Sequence, residues 1–207
     1  MILAILIGGN TMLSTFLGTA AFLLYLIYDI NSFRWKRRLP RSFFLLGTLL
    51  ITVATAVDLI DAIRYGSFTG VFDWILLLPA VCSLLSLVYC LFFAIPFDET
   101  YAAQASGRPV CDRGVYALCR HPGILCFFFF FLFLGFAAFP GHLLWNGLLF
   151  SFLNLVYAVF QDRFTFPKTF CDYERYRETV PFLIPTRASI RRARDTFVYV
   201  HAKEGNP

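Results

Sequence analysis

The chain has 207 residues, of which 58% are hydrophobic and 15% charged, with a formal net charge of +5. A soluble domain carries about 25% charged residues, so this composition excludes a water-soluble globule and implies an integral membrane protein. Six cysteines without a Cys-x-x-Cys pair, together with only three histidines, give no zinc or iron–sulfur pattern, and no nucleic-acid motif is present.

The first apolar run, Met1 to Ile7, is short, lacks a basic flank and is interrupted by Gly8-Gly9-Asn10. It does not read as a cleavable signal. Five apolar segments follow, at roughly 12–30, 43–64, 71–95, 123–139 and 142–160. Each crosses, or nearly crosses, a hydrocarbon core of about 30 Å at about 1.5 Å per residue. Pro140-Gly141 reads as a tight turn, which makes the last two segments an antiparallel helical hairpin.

Arg34, Lys36, Arg37, Arg38 and Arg41 follow the first segment, Arg108, Arg113 and Arg120 precede the fourth, and the remaining basic residues except Arg64 follow the fifth. With five spans these positions share one side, which the positive-inside rule makes cytoplasmic, with the N-terminus outside. A basic cytoplasmic face suits anionic headgroups better than nucleic acid. The expectation is an all-α integral membrane protein of about five transmembrane helices, with a C-terminal helical hairpin and a cytoplasmic amphipathic tail. Within one membrane domain, 1–95 hold three spans, 96–185 a cytoplasm-facing region with the hairpin, and 186–207 the basic tail. Its compactness points to a prokaryotic cytoplasmic membrane.

In that tail, Thr169 to Val180 reads as a short helix capped by Thr169 and halted before Pro181. Residues 189–200 place Ile190, Ala193 and Phe197 on one face with arginines around them, an interfacial pattern. Inside the spans, Asp58 and Asp61 lie three apart on one helix face. Arg64 invites an ion pair with Asp61; Asp58 sits deeper, and a charge within a span is a functional hypothesis by default. Asp29, ending the first span, reads as interfacial. Five consecutive residues, Phe127 to Phe131, encircle a helix, so some face protein and others lipid.

Arg120-His121-Pro122 opens the fourth segment. Proline suits a first helical turn, and Arg and His suit an interface, so an anchoring role explains the triplet. The alternative is an anion site at a helix N-terminus. Gln161-Asp162-Arg163 ends the fifth segment, so the hairpin returns a carboxylate to the level of His121. A zwitterionic ligand would bridge the two.

Gly114-Val115-Tyr116-Ala117-Leu118-Cys119-Arg120-His121-Pro122, a hairpin, Phe160-Gln161-Asp162-Arg163, then Tyr173-x-x-Tyr176-x-x-x-Val180-Pro181 and Ile184-Pro185 follow in order. This pattern, spanning about a third of the chain, resembles the isoprenylcysteine carboxyl methyltransferases and related membrane phospholipid methyltransferases. The resemblance implies a five-span core and a cytoplasmic site for S-adenosylmethionine, with a lipid or lipidated substrate entering from the bilayer. It implies that Arg120, His121 and Pro122 help hold the cofactor, with Asp162 or Glu174 for its ammonium and Tyr116 or Tyr176 closing the pocket. Arg120, Asp162 and Arg163 are the candidates nearest the chemistry, and no metal is called for.

The chain departs from that pattern in places. Gly123-Ile124-Leu125-Cys126 stands where the family usually has x-Tyr-x-Gly, and Phe164 to Lys168 replaces a Glu-Glu pair. Phe170-Cys171 replaces Phe-Gly. Two other readings stay open: an NADPH-dependent membrane reductase with a similar hairpin, and a catalytically degenerate lipid- or partner-binding protein.

Overall fold

The computed structural model describes residues 2–35, 42–94 and 109–204, and the side chains among them except those of 2–9, 33 and 197–204. Lys36, Arg37, Arg38, Arg41 and Arg108 of the basic segments lie outside the described residues. The elements are α1 (Ile2–Ile30), α2 (Phe43–Arg64), α3 (Val71–Phe92), α4 (Val115–Leu118), α5 (Pro122–Ala137), α6 (Leu143–Phe160), α7 (Phe166–Thr169), α8 (Tyr173–Thr179) and α9 (Arg187–Glu204). Asn31–Trp35 and Gln161–Thr165 continue α1 and α6 as wider π-helical turns. No strand occurs among the described residues.

Four helical stretches are long and apolar enough to cross a membrane: Asn10–Ile30, Phe43–Arg64, Val71–Phe92 and Leu143–Thr169. The apolar α5, Pro122–Ala137, is shorter. Threonine hydroxyls in these helices return to their own backbone, as Thr15 does to the Thr11 carbonyl and Thr52 to that of Thr48. These hydroxyls are thereby paired without water.

The chain divides into two compact units: Met1–Leu84 with Phe127–Gln161, and Leu85–Cys126 with Asp162–Pro207. In the first unit α1 packs along α2 and against α6. Its core holds Phe22, Ile51, Ala54, Phe131, Leu134 and Phe150. Lipid offers no hydrophobic drive between helices, so association rests on close packing at small residues. Gly147 of α6 is such a point: a Cβ there would stand 2.8 Å from the Phe131 Cβ of α5. Gly135 likewise meets Leu144, so the two helices run antiparallel from a turn in which Gly141 N–H donates to the Ala138 carbonyl at 2.8 Å. The phenylalanine run divides as a full helical turn must, with Phe131 buried and Phe129 exposed.

The second unit has its own smaller core of Tyr173, Tyr176 and Val180, against which Val110, Phe166 and Phe170 pack. The aromatic spacing Tyr173-x-x-Tyr176 puts both rings on the inner face of α8, 5.9 Å apart.

Several local expectations change. Helix α1 passes through Gly8-Gly9-Asn10, and Asn10 is absorbed there by donating from Nδ2 to Asp61 Oδ1 at 3.1 Å. Asp61 is thereby met by an amide across the bundle and not by Arg64. Asp29, at the end of α1, is buried within the protein. Thr169 ends α7, its hydroxyl bonded to the Thr165 carbonyl. Helix α8 starts after Asp172, whose carboxylate holds the Val110 N–H at 2.7 Å.

Candidate functional site

Arg120 stands in the short link between α4 and α5, fixed by backbone bonds. Its N–H donates to the Pro181 carbonyl at 2.9 Å, and the His121 N–H donates to that of Phe182 at 3.3 Å. The link is positioned by Gly114, which precedes α4 with φ 57° and ψ −130°, a conformation side-chain-bearing residues rarely adopt.

The Arg120 guanidinium then joins three segments. Its Nε and Nη2 donate to the two oxygens of Asp162, at 2.8 and 3.1 Å, in a fork-to-fork pair. Its Nη1 donates to the carbonyls of Arg177 and Val180, at 2.9 and 2.7 Å. Those carbonyls are the unpaired acceptors at the C-terminus of α8, where a cation is also favoured by the helix dipole. Asp162 lies in the π-helical turn after α6 and is 5% exposed. The hydroxyl of Tyr173 adds a 2.6 Å bond to its Oδ1, and Arg177 Nε lies 3.8 Å from Oδ2.

His121 is 6% exposed. Its ring stacks on Phe166 and meets Phe182 edge-on. Its Nε2 lies 3.5 Å from Asp162 Oδ1, too long for a good hydrogen bond, and has no other partner. A buried polar atom left in this way is unusual and needs an explanation.

The tyrosines close the cluster from the other side. Tyr176 O–H donates to the Tyr116 carbonyl at 2.6 Å, and Tyr116 O–H to that of Cys90 at 2.9 Å. Burial pushes the hydroxyls of Tyr116, Tyr173 and Tyr176 above the ordinary tyrosine range, and for Tyr173 the bond to Asp162 pushes further. All three remain proton donors at neutral pH. Burial also raises the Cys119 thiol to about 11.

Of the sequence-predicted residues, Arg120, His121, Asp162, Tyr116 and Tyr176 thus belong to one cluster, and Pro122 follows as the first residue of α5. Glu174 is exposed at its rim, 3.8 Å from Arg177 Nη1. Arg163 is exposed and makes none of these bonds. Sequence reasoning missed Tyr173 as the partner of Asp162, and Arg177. Their spacing is the signal: four apart on α8, they share a face and reach the same carboxylate.

A second polar cluster lies within the first unit. Asp58, 5% exposed, accepts from Ser14 Oγ at 2.6 Å and from Asn146 Nδ2 at 2.8 Å. Asn146 also donates to Ser14 at 3.0 Å and accepts from Thr15 at 2.7 Å. Beside it Thr11, Asp58, Asp61, Tyr65 and His142 line a cavity of about 40 Å³.

Compared with protein-family models, curated proteins and solved structures, the chain matches none.

Proposed function

We propose that this chain is a membrane methyltransferase that uses S-adenosylmethionine and acts on a lipophilic or lipidated substrate at the cytoplasmic face. The observation that carries the reading is the convergence of Arg120-His121, Asp162 and the Tyr173/Tyr176/Val180 element in one buried cluster. These are the residues on which the resemblance to isoprenylcysteine carboxyl methyltransferases rests. In this reading α5 is a fifth span, about 24 Å long at 1.5 Å per residue, the N-terminus is outside, and the C-terminal region is cytoplasmic.

The residues present fit a zwitterionic cofactor in a modified assignment. Arg120 and Asp162 are occupied with one another and serve as the frame. The buried, unpartnered His121 Nε2 and the half-exposed Arg177 are the groups left for a carboxylate. Glu174, at the rim beside Arg177, is the group left for an ammonium. When bound, the cofactor supplies an electrophilic methyl group on a sulfonium. The protein's share is to hold His121 in orientation between Phe166 and Phe182, keep water from the cluster, and align an acceptor. An acceptor carboxylate is ionised at pH 7 and needs no general base.

The same mutual pairing of Arg120 and Asp162 favours a second reading, a catalytically silent lipid- or partner-binding protein, in which the frame is all that remains. Calorimetric titration of the purified chain with S-adenosylmethionine separates the two. Saturable binding that disappears in His121→Ala, with the thermal midpoint retained, supports the enzyme. Absent binding in the presence of lipid supports the silent protein, and binding of NADPH instead moves the chain to the reductases.

A further inference from the structure

Helix α9 is held by one face and leaves another open. Thr186 and Ser189 exchange reciprocal bonds at its start, with the Thr186 N–H on Ser189 Oγ at 2.9 Å and the Ser189 N–H on Thr186 Oγ1 at 3.2 Å. This is the geometry of a capping box, and it fixes where the helix begins after Pro185. Ser189 and Ala193 are buried. Thr196 Oγ1 accepts from the Gly114 N–H at 3.0 Å, which ties the same face to the start of α4.

Arg187, Arg191 and Arg194 recur at i, i+4 and i+7, which puts them on one stripe directed away from that seam. All three are exposed, and Ile190, 53% exposed, sits beside them. Arg192 flanks the stripe. Asp195 lies 3.7 Å from Arg194 Nε and offsets a single charge of the four arginines. The same unit contains the apolar ends of two helices, Leu85–Phe92 of α3 and Pro122–Cys126 of α5, with Leu85, Leu91 and Phe92 exposed. The unit therefore carries both an apolar belt and a basic stripe with one aliphatic side chain in it.

We infer that the Arg187/Arg191/Arg194 stripe of α9, with Ile190, docks on the anionic phospholipid surface of the membrane. Guanidinium groups pair with phosphate oxygens in a fork, and Ile190 enters the headgroup boundary as the apolar edge of an interfacial helix does. Because Thr196 holds the Gly114 N–H, the docked helix is joined directly to the α4 link that leads to Arg120. The inference does not depend on methyl transfer.

The test uses the full chain in nanodiscs of phosphatidylcholine alone or with about a third phosphatidylglycerol, without cofactor. Trypsin cleavage after Arg187, Arg191 and Arg194 is measured by mass spectrometry and normalised to cleavage after the exposed Arg163. Docking predicts cleavage slowed roughly tenfold in the anionic discs, recovering in about 1 M salt, where screening acts within about 3 Å. In detergent, native mass spectrometry of phosphatidylglycerol adducts should show affinity weakened about fivefold for each arginine changed to glutamine. Equal cleavage in both discs overturns the inference. So does protection by polyglutamate but not by anionic lipid, which would give the stripe to an acidic protein partner.

Discussion

Asp58 and Asp162 are the same residue type, each 5% exposed, yet they are satisfied in opposite ways. Asp58, among helices long and apolar enough to cross a membrane, takes its bonds from a serine and an asparagine. Asp162, at the end of α6, takes two from a guanidinium and one from a tyrosine. The first site is built from neutral donors already carried by neighbouring helices. The second locks a charge of each sign together and uses the remaining arginine donors to finish α8. One cluster is therefore tolerant of neutralisation, and the other is not.

The largest test of that contrast is Asp162→Ala. It strands a guanidinium whose side chain is 9% exposed, which should cost about 3–5 kcal/mol and lower the thermal midpoint in detergent sharply. Alkaline pH should act next, through the buried thiol of Cys119 in the second unit. The folded Cys119 thiol sits at about 11 against 9.0 for the ordinary group. Its contribution is intact below pH 9 and is lost as pH rises through 11, amounting to about 2–3 kcal/mol. The buried tyrosines push the same way. A pH series of midpoints, flat to 9 and falling above it, would fit, and Cys119→Ala should flatten part of the fall.

Tyr173→Phe removes one bond to Asp162 while the arginine pair stays, so a loss of about 1.5 kcal/mol is expected. Unchanged stability would mean that Tyr173 contributes only its ring. Asp58→Asn should be the mildest, within about 1 kcal/mol, because the Asn146 amide can turn to present its oxygen. A loss as large as that of Asp162→Ala would erase the distinction between the clusters.

Much of the helical plan was legible because apolar length and turn residues are local properties. The second, third and fifth segments and the Pro140-Gly141 turn need no tertiary information. The hairpin also explains why residues 120 and 162 meet, since two antiparallel helices of similar length return the chain to its starting level. The start of α9 was equally local but went unread: Thr186-x-x-Ser189 is a capping pattern in plain sight. Other features depended on partners far along the chain. Asp61 faces Asn10, 51 positions away, and not the nearby Arg64. Arg163 makes no bond in the cluster, while the likewise exposed Arg177 reaches Asp162 from α8.

By itself, the sequence determined that this chain forms long apolar helices, where they turn, and which few polar residues accompany them, since hydropathy and backbone propensity act within a few residues. Only the tertiary structure decided that Arg120 and Asp162 satisfy each other while His121 Nε2 is left without a hydrogen-bond partner. A charged group takes whichever opposite charge and free carbonyl the packed fold brings within 3 Å, and that choice is made across 42 and 60 residues of chain.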